Sequence, residues 1–113
     1  MVNDSYIPER GDIVWLDFTP QSGKEQRGRR PAFVVSPALY NKKTSLALLC
    51  PITSQIKGYP FEVMLTEGMK TQGVIISDQI KSLDWKARNA VLIENADEEI
   101  IKNVLKKLSH LIQ

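Results

Sequence analysis

The sequence predicts a mainly β domain with one C-terminal helix, its strands forming a small barrel or a strongly bent antiparallel sheet. Three observations carry that prediction. About six short runs of β-branched and bulky apolar residues are separated by glycine and proline turns. The apolar period changes from that of strands to that of a helix only towards the end of the chain. The length, 113 residues, is that of one domain spanning residues 1–113, with enough interior for one modest core.

Met1 to Arg10 is a polar lead-in. Asp12 to Phe18, DIVWLDF, reads as the first strand, apolar on both faces at its centre, so Trp15 is expected in the core. A loop containing Gly23 and Gly28 follows, and Ala32 to Val35 is the second strand. Ser36 is expected to cap a helical turn over Ala38 to Asn41, with Pro37 at its first position. Leu46 to Ile52 is the third strand, and Pro51 implies an edge or a bulge. After the turn Lys57-Gly58-Tyr59-Pro60, Phe61 to Leu65 alternates as a half-buried strand. Gly73 to Ser77 is a buried strand. Ser82 to Lys86 is expected as one helical turn capped by Ser82, and Asn89 to Ile93 as the last strand.

Ile100, Val104, Leu108 and Ile112, with Ile101, Leu105 and Leu111 beside them, then mark an amphipathic helix. Asp97, Glu98 and Glu99 suit the positive end of its dipole, and Lys106 and Lys107 lie towards the other end. Asn95 and Glu98 have the spacing of a capping box. The apolar stripe is expected to pack on the sheet or on a second copy of the chain.

Composition excludes several classes. A net charge of +2 predicts no polyanion partner by itself; only clustering of the charge would. The lone cysteine, Cys50, lies in an apolar run and reads as a small core residue in a reducing compartment. There is no signal-peptide core and no apolar run approaching the ~20 residues of a membrane span, so a cytoplasmic protein without membrane contact is expected. Phosphate-binding glycine loops, a nucleophile elbow and paired cysteine ligands are absent. The single histidine, His110, sits near the chain end and reads as a surface residue, and one histidine excludes two-histidine catalysis. No cofactor and no metal are expected.

The polar groups that remain cluster at strand ends. The loop after the first strand carries Lys24, Arg27, Arg29 and Arg30 against one acid, Glu25. Thr53, Ser54 and Gln55 leave the third strand, Asp78 and Gln79 the fifth, and Lys81, Lys86 and Arg88 follow. Strand ends of a small barrel converge on one rim, where loops carry function. For each residue taken alone, turn formation or a solvated surface is the commoner role.

Taken in order, GDIVWLDF, GKEQRGRRPAFVVSP, CPITSQIKGYPFEV and ISDQIKSLDWKAR resemble the MazF/PemK family of toxin endoribonucleases across nearly the whole chain. The most diagnostic pieces are Glu25-Gln26 with Gly28 and Arg30-Pro31, the strand end Pro51 to Thr53, and Asp78-Gln79. The resemblance implies a PemK/CcdB-type barrel related to SH3-like barrels, in a symmetric homodimer. It implies metal-independent, sequence-selective cleavage of single-stranded RNA. It also implies a cognate antitoxin whose disordered, often acidic segment occupies the same groove, as one extended polyanion would replace another.

On that resemblance, Arg30 and Thr53 match the arginine and threonine treated as catalytic in the family. An arginine fork neutralises and orients a phosphate, and a hydroxyl adds a hydrogen bond. Arginine is a poor base at neutral pH, so Glu25 and Asp78 are the carboxylates expected to take the proton of an attacking 2′-OH. Two departures stand out: Ile76 replaces an arginine, and Arg29 replaces a histidine, found at the matching positions in some relatives. Arg29, Arg27, Lys24, Gln26, Ser54, Gln79, Lys81 and Lys57 are expected to contact RNA, with Lys86 and Arg88 as further backbone contacts. Phe18, Tyr59 and Trp85 are candidates for stacking on bases, and Trp85 is expected to be partly exposed. The alternative is a CcdB-like gyrase poison of the same fold, acting by protein binding. The cationic loop, the Arg30–Thr53 pair and the non-aromatic end Leu111-Ile112-Gln113 disfavour it. A third reading, an RNA-binding module that does not cut, is separated from a nuclease only by activity.

Overall fold

The computed structural model describes residues 5–18 and 28–113. Lys24, Glu25, Gln26 and Arg27 lie outside the described residues. Seven strands run β1 (Asp12–Phe18), β2 (Gly28–Val34), β3 (Leu46–Thr53), β4 (Glu62–Met64), β5 (Val74–Ile76), β6 (Lys81–Asp84) and β7 (Val91–Asn95). Helix α1 (Ala38–Thr44) joins β2 to β3, a 3-10 turn (Ser77–Gln79) follows β5, and helix α2 (Glu98–Ile112) ends the chain. Every pairing is antiparallel, in the order β4-β5-β3-β2-β1-β7, with β6 also on β3. The mainly β class with a C-terminal helix is as expected; the barrel is open, because β4 and β7 are not paired with each other.

The central strands are apolar on both sides because both faces of the sheet are covered. On one face Ile13, Phe33, Cys50, Ile52, Val63 and Ile75 meet Ile100, Val104 and Leu108 of α2. The apolar stripe of α2 packs on its own sheet through Leu108, while Leu111 and Ile112 beyond it stay exposed. On the other face Val14, Leu16, Ala32, Val34, Ala47 and Leu49 meet Trp85. Cys50 is fully buried as expected, and burial, reinforced by the nearby charge of Asp78, pushes its thiol up to about 12. It stays an inert thiol at neutral pH.

Several local readings need correction. Pro51 is in an interior strand, opposite Ala32. It is tolerated there because β3 changes its outer neighbour at that point, from β6 (last pair Leu49–Lys81) to β5 (first pair Ile52–Ile75). Ser36 does not cap α1: the N-cap is Pro37 and has no side-chain cap bond. The Ser36 hydroxyl instead bonds Asn41 Oδ1 and accepts the Leu48 N–H, joining helix to strand. Residues 81–84 are strand β6, not a helical turn, because they pair with Leu46–Leu49. The turn starts at Asp84, whose Oδ1 accepts the Ala87 N–H. Helix α2 is capped by Asp97, which accepts the Ile100 N–H at 2.9 Å, while the Asn95 amide donates to Asp12. Among the described residues no helix is long and apolar enough to cross a membrane.

The two tryptophans exchange their expected places. Trp15 is 42% exposed and Trp85 only 8%. The register of β1 against β7 shifts between Ile13 and Val14. Beyond that irregularity the face that holds Ile13 in the core carries Trp15 out of it. Trp85 turns inward beneath α1 and donates its indole N–H to the Asn41 carbonyl at 2.9 Å.

Candidate active site

Strand alternation and register assemble one polar face. On β3 the face holding Ala47 and Leu49 continues through Pro51 to Thr53; on β2 the face holding Val34 and Ala32 continues to Arg30. The β2–β3 ladder ends at Ala32 opposite Pro51, and two residues beyond it Arg30 of β2 and Thr53 of β3 lie on the same face. On the other side Thr53 pairs with Val74, and Ile76 pairs with Glu62. These residues therefore share the face turned away from α2.

Among the described residues, Thr53, Gln55, Lys57, Tyr59, Glu62, Ile76, Asp78 and Gln79 line a cleft of about 210 Å³ on this face. Pockets for drug-sized ligands run from ~300 Å³ upwards. Its loop wall is pinned by Glu62, whose two carboxylate oxygens accept the N–H groups of Lys57 (3.1 Å) and Gly58 (2.9 Å). From behind, Lys107 Nζ of α2 donates to the Pro60 carbonyl at 2.5 Å. Tyr59 is 61% exposed, with the Lys57 ammonium 5.8 Å from its ring centroid, within cation–π range. The Thr53 hydroxyl accepts the Gln55 N–H at 3.1 Å and keeps its own proton to donate.

The residues singled out from sequence divide accordingly. Thr53, Asp78, Gln79, Lys57 and Tyr59 meet in the cleft, with Arg30 exposed on the same face of the sheet. Ser54 and Lys81 are exposed outside its lining. Phe18 and Trp85 are each 8% exposed and belong to the core on one sheet face, so neither ring is presented to a base. Arg88 donates to the Asp17 carbonyl at 3.2 Å. His110 is exposed at the end of α2. Among the described residues no three His, Cys, Asp or Glu side chains are grouped to hold a metal ion. Glu62 is the site residue that sequence reasoning missed. Its part is visible only where the loop brings the Lys57 and Gly58 N–H groups back onto its carboxylate.

Arg29 is tied to two neighbouring elements. Its guanidinium donates to Asp17 Oδ1 and to the Asn89 carbonyl, both at 2.7 Å, and the Asn89 amide donates to Asp17 Oδ2 at 2.8 Å. The hydrogen bond from Asn89, then that from Arg29, hold the Asp17 carboxyl below the usual carboxylate range. A depressed folded pKa stabilises above the unfolded value of about 4 and loses that contribution as pH falls through the folded value. Urea unfolding from pH 6 down to pH 2 is expected to show stability falling below about pH 4, more shallowly in Asp17→Asn. An equal acid slope in that variant would remove Asp17 from the balance.

The chain matches, over residues 9–112, the family described as PemK-like, MazF-like toxin of type II toxin-antitoxin system. It is 46% identical over 107 residues to the endoribonuclease toxin MazF of Escherichia coli, covering 95% of this chain and 96% of that one. It is 37% identical over 108 residues to the Escherichia coli endoribonuclease PemK, covering 92% and 81%. Its fold superposes on a MazE-MazF crystal structure from Deinococcus radiodurans with a TM-score of 0.89 at 48% identity, covering 96% of this chain and 97% of that one. The matched span takes in Arg30 and the whole cleft lining from Thr53 to Gln79, and the chain belongs to the family of PemK-like, MazF-like toxins of type II toxin–antitoxin systems.

Proposed function

We propose that the protein is the toxin of a toxin–antitoxin pair and a sequence-specific endoribonuclease that cuts single-stranded RNA at this cleft. The observation that carries it is the meeting of Thr53 and Asp78 in one cleft, with Arg30 on the same face of the neighbouring strand, in a chain whose relatives are named endoribonucleases. The RNA supplies its own nucleophile. The 2′-oxygen forms a bond to the adjacent phosphorus as its proton passes to a carboxylate. The P–O5′ bond breaks, and the departing oxygen takes up a proton, leaving a 2′,3′-cyclic phosphate and a 5′-OH. Arg30 offsets the charge on the phosphoryl oxygens through its planar fork, and Thr53 donates to one of them. Asp78 is the proton acceptor within the cleft, and Glu25 is the second carboxylate of this reading. Glu62 is committed to holding the loop. Lys57, Tyr59, Gln55 and Gln79 grip and read the flanking nucleotides.

The chain works as a homodimer in the cytoplasm, stops growth by cutting messenger RNA, and is silenced by a cognate antitoxin with an acidic disordered segment. The complex of related chains in the MazE-MazF structures supports such a partner. The gyrase-poison alternative has no support in relatives that are named endoribonucleases. Incubation of the purified chain with a long RNA in excess EDTA, followed by mapping of both ends, tests the reading. Cleavage is expected to persist and to leave 5′-OH and 2′,3′-cyclic ends. Loss of cutting in EDTA overturns the metal-free chemistry, and binding without any cutting makes the chain an RNA-binding module instead.

A further inference from the structure

Asp17, Arg29 and Asn89 close a ring of three hydrogen bonds that ties β1, β2 and the turn at residues 85–90 together at one corner of the sheet. Asp17 and Arg29 are also cross-strand partners in the β1–β2 ladder, one rung from its end at Phe18–Gly28. The Asp17 backbone binds the same turn twice more, through its N–H to the Arg88 carbonyl (2.9 Å) and its carbonyl to the Arg88 guanidinium. Asn89 sits at φ +56°, a left-handed conformation that costs a non-glycine residue on the order of 1 kcal/mol. Such strain persists where surrounding contacts over-determine it, and here the ring supplies those contacts.

We propose that Arg29 is a positioning residue that fixes the start of β2 and so aims Arg30 at the Thr53 side of the cleft, and that it is not a contact to the RNA phosphates. Arg29 and Arg30 are neighbours on an extended strand, so they project from opposite faces. Holding Arg29 on one face fixes the azimuth of Arg30 on the other. A phosphate seeking Arg29 would have to displace a carboxylate already 2.7 Å from its Nη1, and the charge it would meet is offset by Asp17. Arg30, one residue on, stands opposite Leu16 in the ladder, on the sheet face that leads to Thr53.

The inference rests on the nuclease reading for its kinetic arm alone. The test uses the full chain with Arg29→Ala, Asp17→Asn and Asn89→Gly, the last keeping the left-handed backbone while deleting the amide. Each is expected to lower kcat about tenfold with KM within about twofold, since a small misplacement of a catalytic group costs rate rather than binding. The double variant Asp17→Asn/Arg29→Ala is expected to lose no more than either single. Without RNA, amide exchange at residues 28–30 is expected to speed about tenfold in all three. The salt dependence of binding to an uncleavable RNA is expected to be unchanged in Arg29→Ala. A slope reduced by ~0.7 would mark a lost phosphate contact and overturn the inference. Additive kcat losses, or faster exchange with unchanged kcat, would overturn it as well. If the unmodified chain cuts no RNA, the nuclease reading fails, and the strut stands or falls on the exchange: unchanged rates in all three variants remove it.

Discussion

Arg30→Ala is expected to abolish RNA cleavage, lowering kcat by roughly 10²–10³ or more, while leaving the fold intact. The size follows from what the residue does. The reaction builds charge on the phosphoryl oxygens, and removing one preorganised donor to developing charge costs ~3–4 kcal/mol of barrier. The removed group here is also a full cation with a two-pronged geometry, so the upper end of that range applies. The fold is spared because Arg30 is exposed on β2, beyond the rungs that join β2 to β3. A surface change of that kind moves stability by about 0.5 kcal/mol or less, or roughly 3 °C in Tm for a chain of this size. Arg30→Lys separates charge from shape. It keeps the cation but loses the fork, and intermediate activity is expected. Cleavage rates measured on folded protein decide the matter, and an Arg30→Ala variant that cuts at the unmodified rate sinks the assignment.

That the strand bearing Arg30 was legible from sequence, and the hydrogen-bond ring at Arg29 was not, reflects the range of the forces involved. The strands that position Arg30 announce themselves locally: Ile13, Val14 and Leu16, or Phe33 and Val34, have β-branched or bulky side chains wherever they are read. Helix α2 announces itself through the spacing of Ile100, Val104 and Leu108. The ring at Arg29 includes Asn89, sixty residues away along the chain, and no local pattern carries that contact. The same range limit explains the misread stretch Ser82 to Lys86. Its serine and short apolar content favour a capped turn, but pairing with Leu46–Leu49 outweighs propensity. Trp85 looked exposed because charged residues flank it, yet the turn directs its ring against the Asn41 carbonyl. Glu62 looked like the wet side of an alternating strand. Only the return of the loop at residues 57–58 onto its carboxylate makes it part of the cleft.

Gly73→Ala is expected to be the most damaging single-methyl change in the described structure, lowering stability by about 3 kcal/mol or more and Tm by roughly 15 °C or more. Two costs combine. Gly73 has φ +113°, which an L side chain rarely adopts. A Cβ there would also stand 2.1 Å from the Thr53 carbonyl oxygen and 2.8 Å from its carbonyl carbon. Those are backbone atoms of a paired strand and have no rotamer to escape into; Thr53 is fixed against Val74, and the Gly73 carbonyl in turn accepts the Leu65 N–H. Gly68→Ala isolates the first cost, because Gly68 has φ +94° and nothing within 4 Å of the added carbon. It is expected to lose only about 1–2 kcal/mol. The difference between the two variants in denaturant unfolding measures the clash itself. Equal losses would mean that the sheet yields at Thr53 without cost. The same displacement links stability to chemistry: any relief of the clash moves the Thr53 backbone and with it the hydroxyl that faces the cleft. At a temperature where both variants remain folded, Gly73→Ala is therefore expected to cut RNA at least about tenfold more slowly than Gly68→Ala. Matching rates would show that the position of Thr53 does not limit the reaction.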